Sequence, residues 1–403
     1  MTQRVAVAII GAGPAGLTVA ERTARAGLET LVLERNEAIG VPVRTSGGSW
    51  IADLQALDIP PDFYHPVSTI RLIGPSVEAS YRYHPPVGCV LDVRRFYQYL
   101  AQRAVDAGAA LRLKSRVERP LMQDGAVVGV QAGPLTVEST IVVDASGFWA
   151  EIAKKAGVHP GYPRYGLGAE YDLYAPNYDQ EQVLFLLGNR VAPTGYAWAF
   201  PYGSGRVRVG VGVVRPLTDA DPRRSLDHMI QEHPALRDAC AGASPIEVHA
   251  GLIPMVSPPE RLAADGLVLV GDAAAQASPL AGEGIRFAIQ AGRLAAPVII
   301  EAVRSGDTSA AFLARYGAAW RARYTHAMRM GYQISARWTR YTDPEWDDQV
   351  RLLLRLTPQE FAQLLHAEVT RSWAVRVALR HPQLMLLRNF WGLARDLGWE
   401  LLR

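Results

Sequence analysis

Lysine is nearly missing from this 403-residue chain: of its 42 basic residues, all but Lys114, Lys154 and Lys155 are arginines. Chemistry that needs a catalytic lysine elsewhere in the chain is excluded. Cysteine is scarcer still, with only Cys89 and Cys240. Two cysteines cannot build a disulfide framework, a four-cysteine zinc site or an iron–sulfur cluster. A large excess of charge is also absent. The formal net charge of +3 is too close to balance for a nucleic-acid binder. No run of about eighteen apolar residues occurs, so no transmembrane helix is expected. The opening Met1-Thr2-Gln3-Arg4 leads straight into Val5–Ile10 with no small-residue cleavage site after it, so no signal peptide is expected. These absences predict a cytoplasmic protein. What is present is ordinary globular usage, 49% hydrophobic and 20% charged, in a chain long enough for two or three domains.

Periodicity organises the chain. Residues 4–10 read as a buried strand, 14–27 as a helix and 29–34 as a second strand, a βαβ unit. Residues 68–83 alternate like a hairpin, and 93–107 form a helix with Phe96, Leu100 and Ala104 on one face. Three short strands are expected between 111 and 146, the last at Thr140–Asp144. Residues 165–250 are rich in strand-like pieces, 267–271 form another buried strand, and a helix follows near 283–305. From 307 onward the pattern is helical. Because the buried strands are scattered, the expected fold is α/β with a discontinuous Rossmann-like nucleotide-binding domain (1–60, 88–160 and 251–306). A β-rich domain (61–87 and 161–250) is inserted into it, and a helical region (307–403) follows.

Two motifs carry nucleotide chemistry. Gly11-Ala12-Gly13-Pro14-Ala15-Gly16 lies between the first strand and its helix. There Gly11 makes the tight turn, Gly13 admits a pyrophosphate onto the helix N-terminus, and Gly16 lets helix and strand pack closely. Glu34 ends the next strand, beside Arg35, placed to accept hydrogen bonds from an adenosine ribose. The second motif is Val270-Gly271-Asp272-Ala273-Ala274 followed by Pro279-Leu280-Ala281-Gly282-Glu283-Gly284-Ile285. Asp272 can accept from a sugar-like hydroxyl, and the Gly282/Gly284 turn opens a helix whose amides favour an anion.

Together these motifs resemble FAD-dependent oxidoreductases with the glutathione-reductase-like and aromatic-hydroxylase-like nucleotide fold. The resemblance spans roughly residues 4–305. It implies that the first motif, with Glu34, Arg35 and Val117, holds the ADP half of FAD. It implies that Thr45, Gly271, Asp272, Gly282, Gly284 and Ile285 hold the rest. No His or Cys flanks these motifs in sequence, so FAD is expected to be non-covalent. Asp144-Ala145-Ser146-Gly147 stands where the hydroxylases carry Ala-Asp-Gly.

A third motif narrows the resemblance. Gly195-Tyr196-Ala197-Trp198-Ala199-Phe200-Pro201 is similar to the Gly-Tyr-x-Trp-x-Phe-Pro signature of geranylgeranyl reductases. These enzymes saturate polyprenyl chains on lipids, quinones or pigment precursors. Alternation puts Tyr196, Trp198 and Phe200 on one strand face, either a sheet core or a substrate-facing wall; the neighbouring motifs favour the wall. In the resemblance, Ser46 of Thr45-Ser46-Gly47-Gly48 occupies the position of a cysteine in archaeal members, and Val93 stands where the family has arginine. Arg94 and Arg95 remain as candidates to reach FAD. The implied reaction protonates an isolated alkene to a tertiary cation and adds a hydride, with Tyr196 and Trp198 facing the cation. NAD(P)H or an electron-donor protein such as ferredoxin both suit the reductant, since no second Gly-x-Gly-x-x-Gly exists.

Other readings share these residues: a flavin monooxygenase or epoxidase acting on an apolar substrate, and a non-catalytic flavin- or lipid-binding protein. Residues 371–403 carry six arginines against two acids, interleaved with Trp373, Phe390, Trp391 and Trp399. This composition suits peripheral contact with an anionic membrane that carries the prenylated lipid. A helical cap on the folded domain is the alternative.

Overall fold

The computed structural model describes residues 1–257, 259–367 and 371–382, without the side chains of Arg371 and Ala374. Its first layer is an eight-stranded sheet. Thr2–Ile10 lies parallel to both Leu135–Asp144 and Thr30–Leu33, and Leu267–Leu269 and Ala110–Arg112 extend the parallel array on either side. Strands covered on both faces read as unbroken apolar runs, and Val7, Ala8, Ile9, Val142 and Val143 are all fully buried. The helices Pro14–Arg25 and Ile285–Ser305 start at the two glycine-bearing turns identified in the sequence. The layer is therefore the Rossmann-like α/β fold expected. The segment after 110 holds four strands rather than three, because Arg119–Gln123 and Ala126–Ala132 form an antiparallel flap on the ten-residue Leu135–Asp144.

A seven-stranded sheet forms the second layer. Ser244–Pro254 is one edge strand, followed in order by Tyr165–Tyr174, Arg206–Arg215, Tyr196–Gly203 and Gln182–Leu186, and the expected hairpin, Thr69–Ile73 with Glu78–Arg82, closes the other edge. One face is packed with Ala169, Leu184, Ala197, Ala199, Val209 and Val211 beneath Leu226, Met229 and Leu236 of two helices. The opposite face, bearing Tyr196, Trp198 and Phe200, turns toward the first layer. A three-stranded sheet of Gly48–Trp50, Tyr64–Val67 and Gly88–Leu91 joins the layers. Strands of three or four residues are too short to show a period, which is why this sheet was not anticipated.

The C-terminal helices cover the hairpin edge. Tyr81 stacks on Phe361 at 4.0 Å and donates to the Leu353 carbonyl. In Arg371–Arg380, Trp373, Val377 and Ala378 are buried in that same cluster, while Arg380 and His381 reach Glu360. The described start of the 371–403 segment is thus a cap. Residues 383–403, with Phe390, Trp391 and Trp399, lie outside the described residues. Among the described residues no helix is long and apolar enough to cross a membrane.

Candidate active site

A cavity of about 760 Å³ lies between the two layers, within the range of cofactor and small-molecule sites. Its floor at one end is the first glycine turn. A Cβ on Gly16 would stand 2.2 Å from the Gly11 carbonyl oxygen and 3.1 Å from the Ala145 methyl, so only glycine lets the helix close on the strand there. Gly13, by contrast, has no heavy atom within 4 Å of its Cβ position. It opens onto the cavity, and the helix behind it has no side-chain cap. Its free N–H groups and positive end form a cradle that a phosphate would fill. Glu34 pins this loop: its carboxylate accepts from the Ala12 amide at 2.9 Å and the Asn36 amide at 2.9 Å. Glu34, Arg35, Arg44, Arg116 and Val117 line the same end.

The second turn stands beside it, with Gly271 packed close to Ala15. Gly271, Asp272, Gly282, Gly284 and Ile285 all line the cavity. Asp272 is pushed up to about 6 by desolvation, which disfavours its charged form. Buried Gln276 accepts from the Gly271 amide, and Tyr162 donates to the Asp272 and Ala273 carbonyls, so the turn is held from behind. The helix at Ile285 also lacks a side-chain cap. An open cradle, two uncapped helix N-termini and a half-buried carboxylate fit the pyrophosphate, hydroxyls and ring of a flavin dinucleotide.

Two expectations need correction. Arg94 and Arg95 do not line the cavity: Arg94 pairs with Glu247, and Arg95 lies over Phe63 at 5.6 Å and donates to the Asp62 carbonyl. Their helix presents Tyr97 instead. The absence of flanking His and Cys fails in three dimensions, since Cys89 and His249 line the cavity from distant strands. Burial pushes the Cys89 thiol up, and both His249 ring nitrogens are engaged by carboxylates. The Asp144 turn has a structural part that sequence reading missed. Asp144 is fully buried and accepts from the amides of Ser146, Ile152 and Ala153 and from the Ser146 hydroxyl.

The far wall is clearest across the second sheet, rung by rung. His249, Glu170, Gly210, Trp198 and Phe185 sit opposite one another on five consecutive strands. Gly210 leaves a gap in the middle of this rung, and the indole of Trp198 lies in it. A Cβ on Gly210 would stand 2.3 Å from the ring. Lying flat across the strand, Trp198 donates its Nε1–H to Glu170 at 2.8 Å. The preceding rung is Gly251, Gly168, Gly212 and Tyr196, nearly bare of side chains. The following rung is Glu247, Asp172, Arg208 and Phe200.

Tyr196 donates to the Ala281 carbonyl at 2.5 Å, which sets its ring beside the Gly282 turn. Burial raises its phenol. Arg208 donates to the carbonyls of Ser46 and Leu91, each at 2.9 Å, and so fixes the loop that carries Thr45 and Ser46 into the cavity. Phe185, Phe200, Val67, Ile70, Val90 and Val183 continue the wall as apolar surface. Of the residues expected at the site, Gly11, Gly13, Pro14, Ala15, Glu34, Arg35, Thr45, Ser46, Val117, Tyr196, Trp198, Gly271, Asp272, Gly282, Gly284 and Ile285 line this one cavity. Glu170 and His249 were missed; alternation on two strands was their only signal.

Comparison with known proteins agrees with this geometry. Residues 165–253 match the family model for the geranylgeranyl reductase catalytic domain, and residues 6–178 match that for FAD dependent oxidoreductases. The chain is 32% identical to digeranylgeranylglycerophospholipid reductase 2 of Methanopyrus kandleri, over 94% of this chain and 97% of the relative. It is 31% identical to the digeranylgeranylglycerophospholipid reductase of Methanothrix thermoacetophila, over 99% and 98% of the two chains. A solved geranylgeranyl bacteriochlorophyll reductase-like structure from Thermoplasma acidophilum superposes with a TM-score of 0.84 at 27% identity, covering 95% of this chain and 98% of that one. With the dinucleotide cradle, the aromatic rung and these full-length matches in agreement, this chain belongs to the geranylgeranyl reductase family of FAD-dependent oxidoreductases.

Proposed function

We propose that this enzyme saturates isolated C=C bonds of a polyprenyl chain carried by a membrane lipid. The observation that supports this reading best is the continuity of the cavity. One space runs from the dinucleotide cradle at Gly13 to a wall of Phe185, Tyr196, Trp198 and Phe200. Such a wall is apolar enough for an isoprenoid and offers ring faces to positive charge developing at a branched carbon. FAD, when bound, supplies the hydride. The chain's own residues do the remainder. Gly11–Ala15 and Glu34 would hold the pyrophosphate and adenosine end, and Asp272 with the Gly282–Ile285 turn would hold the rest. The apolar wall excludes water and orients the alkene. The two relatives named above are reductases of digeranylgeranylglycerophospholipids, which makes a glycerophospholipid the first substrate to test. Each buried CH₂ favours the bilayer by about 0.8 kcal/mol, so the substrate is met at a membrane surface. Residues 383–403, with their arginines and tryptophans, are the proposed contact. The donor of electrons is NAD(P)H or a ferredoxin-like protein.

The test is anaerobic reduction of the bound flavin followed by addition of vesicles carrying geranylgeranyl lipids. Flavin reoxidation, with a product mass about two units higher per bond, is the expected result. Reoxidation that requires oxygen and yields an oxygenated product would replace this reading with a monooxygenase. Flavin that no prenyl lipid reoxidises would refute it.

A further inference from the structure

Saturating an alkene takes a proton as well as a hydride, and the apolar wall offers no obvious acid. Tyr196 is poorly suited, since its hydroxyl proton is held by the Ala281 carbonyl. An acid does lie on the next strands. Glu170 and His249, each 4% exposed, both line the cavity. Glu170 Oε1 is 3.0 Å from His249 Nδ1, and His249 Nε2 is 2.9 Å from Glu247 Oε2. Glu170 itself lines the cavity, with Trp198 bonded to its second carboxylate oxygen. At the other end Glu247 is 29% exposed and meets Arg94 near the surface.

We propose that Glu170, His249 and Glu247 form a proton relay from solvent to the substrate alkene. This rests on the alkene-reducing reading above. The balance is simple. His249 Nδ1 passes a proton to Glu170, whose O–H bond then breaks as a C–H bond forms at one alkene carbon. Solvent then restores the proton of His249 through Glu247. The other alkene carbon takes the hydride that the reduced cofactor supplies, so the relay ends with the charge it began with.

Geometry explains why the array holds its proton. Glu170 and His249 are register partners on neighbouring strands, and Glu247 lies two residues along on the same face. A buried ion pair by itself is weak support for stability, whereas a wire that opens on a cavity at one end and on solvent at the other has a use. The charged groups around His249 are Glu170 and Asp172 on one strand, Glu247 on its own strand, Arg208 one strand further and Arg94 behind Glu247. Burial and Arg208 work against the imidazolium, but the hydrogen bonds it donates to Glu170 and Glu247 outweigh them and raise His249 above its ordinary value. Trp198 fixes the outer oxygen of Glu170, so the relay geometry depends on the gap at Gly210.

The experiment has two arms on the holoenzyme. In the first, histidine-labelled protein is titrated by NMR, with His249→Asn assigning the resonance. The relay requires His249 to stay protonated above the pH at which free histidine titrates, and Glu170→Gln to lower that point. A neutral His249 from pH 5 upward overturns the proposal whatever the substrate. In the second, single-turnover reoxidation of pre-reduced flavin is followed with geranylgeranyl-lipid vesicles. Glu170→Gln and His249→Asn should slow it by about 100-fold or more and flatten its pH profile with flavin content unchanged, and Glu170→Asp should recover most of the rate. Equal rates in Glu170→Gln and the parent would overturn the relay and leave the substrate assignment standing. A parent enzyme inert to every prenyl lipid would instead sink the substrate assignment, and the NMR arm would still decide the relay. Should Glu170→Gln not fold, Glu247→Gln at the partly exposed end carries the test, with a shifted pH profile expected and an unchanged one refuting.

Discussion

Replacing Gly210 with alanine tests the architecture of the wall directly. The added methyl would stand 2.3 Å from Trp198 Cζ2, 2.4 Å from Cε2 and 2.9 Å from Nε1. Carbon atoms in contact sit about 3.5–4.0 Å apart, so a rigid ring must retreat by roughly 1 Å or more. Overpacking of this kind destabilises by about 1–3 kcal/mol. The retreat also breaks the 2.8 Å bond from the indole N–H to Glu170, and a hydrogen bond to a charged group contributes about 1.5–3 kcal/mol. The combined loss is about 2.5–6 kcal/mol, a large part of the ~5–15 kcal/mol of a typical folded domain.

The assay is a double-mutant cycle on urea midpoints and flavin content. Trp198→Ala removes both the clash and the bond. In that background Gly210→Ala should be neutral or stabilising by up to ~1 kcal/mol, because alanine has less freedom to lose from the unfolded chain. The coupling between the two sites should therefore exceed about 2 kcal/mol. Gly212→Ala is the control, since its Cβ would lie 3.3 Å from the indole and need only a small adjustment. If Gly210→Ala is as mild with Trp198 present as without it, the indole does not lie over Gly210 and the account of the rung is wrong.

Gly13→Val should leave the apoprotein's melting temperature unchanged and abolish flavin retention, because Gly13 faces open space in an extended conformation that valine can adopt (φ −83°, ψ 177°); full flavin content after purification would refute the cradle. Asp272 sits at about 6 in the fold, above the ~3.9 of an unfolded aspartate. Its charge therefore disfavours folding increasingly as pH rises from about 4 through 6. Apo Asp272→Asn should melt above the parent at pH 8 and level with it near pH 4, as thermal scans across pH would show. His249 is raised and Glu170 and Glu247 are lowered. The parent's stability advantage over His249→Asn should be full below about 6.5 and fade as pH rises through the folded histidine value, and the carboxylates' share should fade as pH falls below about 4.3. Deleting 383–403 should abolish salt-sensitive sedimentation with anionic vesicles at an unchanged melting temperature. Deletion from 371 should instead lower the melting temperature, since it also removes Trp373 from the core it is buried in, and the loss of a buried tryptophan side chain costs about 3–5 kcal/mol.

The nucleotide end of the site was legible because its physics is local. A strand, a turn, a helix and an acid follow one another within residues 2–34, and each residue type answers to a contact a few positions away. The same holds for Asp272 and its turn. The substrate wall was half legible. Alternation put Tyr196, Trp198 and Phe200 on one face, and they share it. Which residues stand opposite them is a matter of register between strands far apart in the chain, 79 residues in the case of Glu170 and His249, and no local pattern carries that. Glu170 meets Trp198 only because Gly210 lies between them, and meets His249 only because Ser244–Pro254 pairs on the other side. Arg94 failed for a similar reason. Its helix was read correctly, but the acid that claims it, Glu247, arrives from that same distant strand.

The order of the three rungs is itself informative. A sheet face lined only with aromatics would make a good isoprenoid wall and a dry one, with no route for a proton. A face of charged residues alone would supply protons but admit water to a developing cation. Here the rung before Trp198 is nearly all glycine and the rung after it is charged, while the indole lies over the glycines and donates to Glu170 on its own rung. Its apolar ring covers the bare strands while its single polar atom is directed at Glu170. The indole thus keeps in place a carboxylate that lines the same cavity. Phenylalanine at this position would preserve the apolar surface but leave Glu170 without that donor. Histidine would keep a donor but give up much of the cover. Tryptophan meets both demands only on a glycine floor, and this is why Trp198 and Gly210 should be treated as one element of the site.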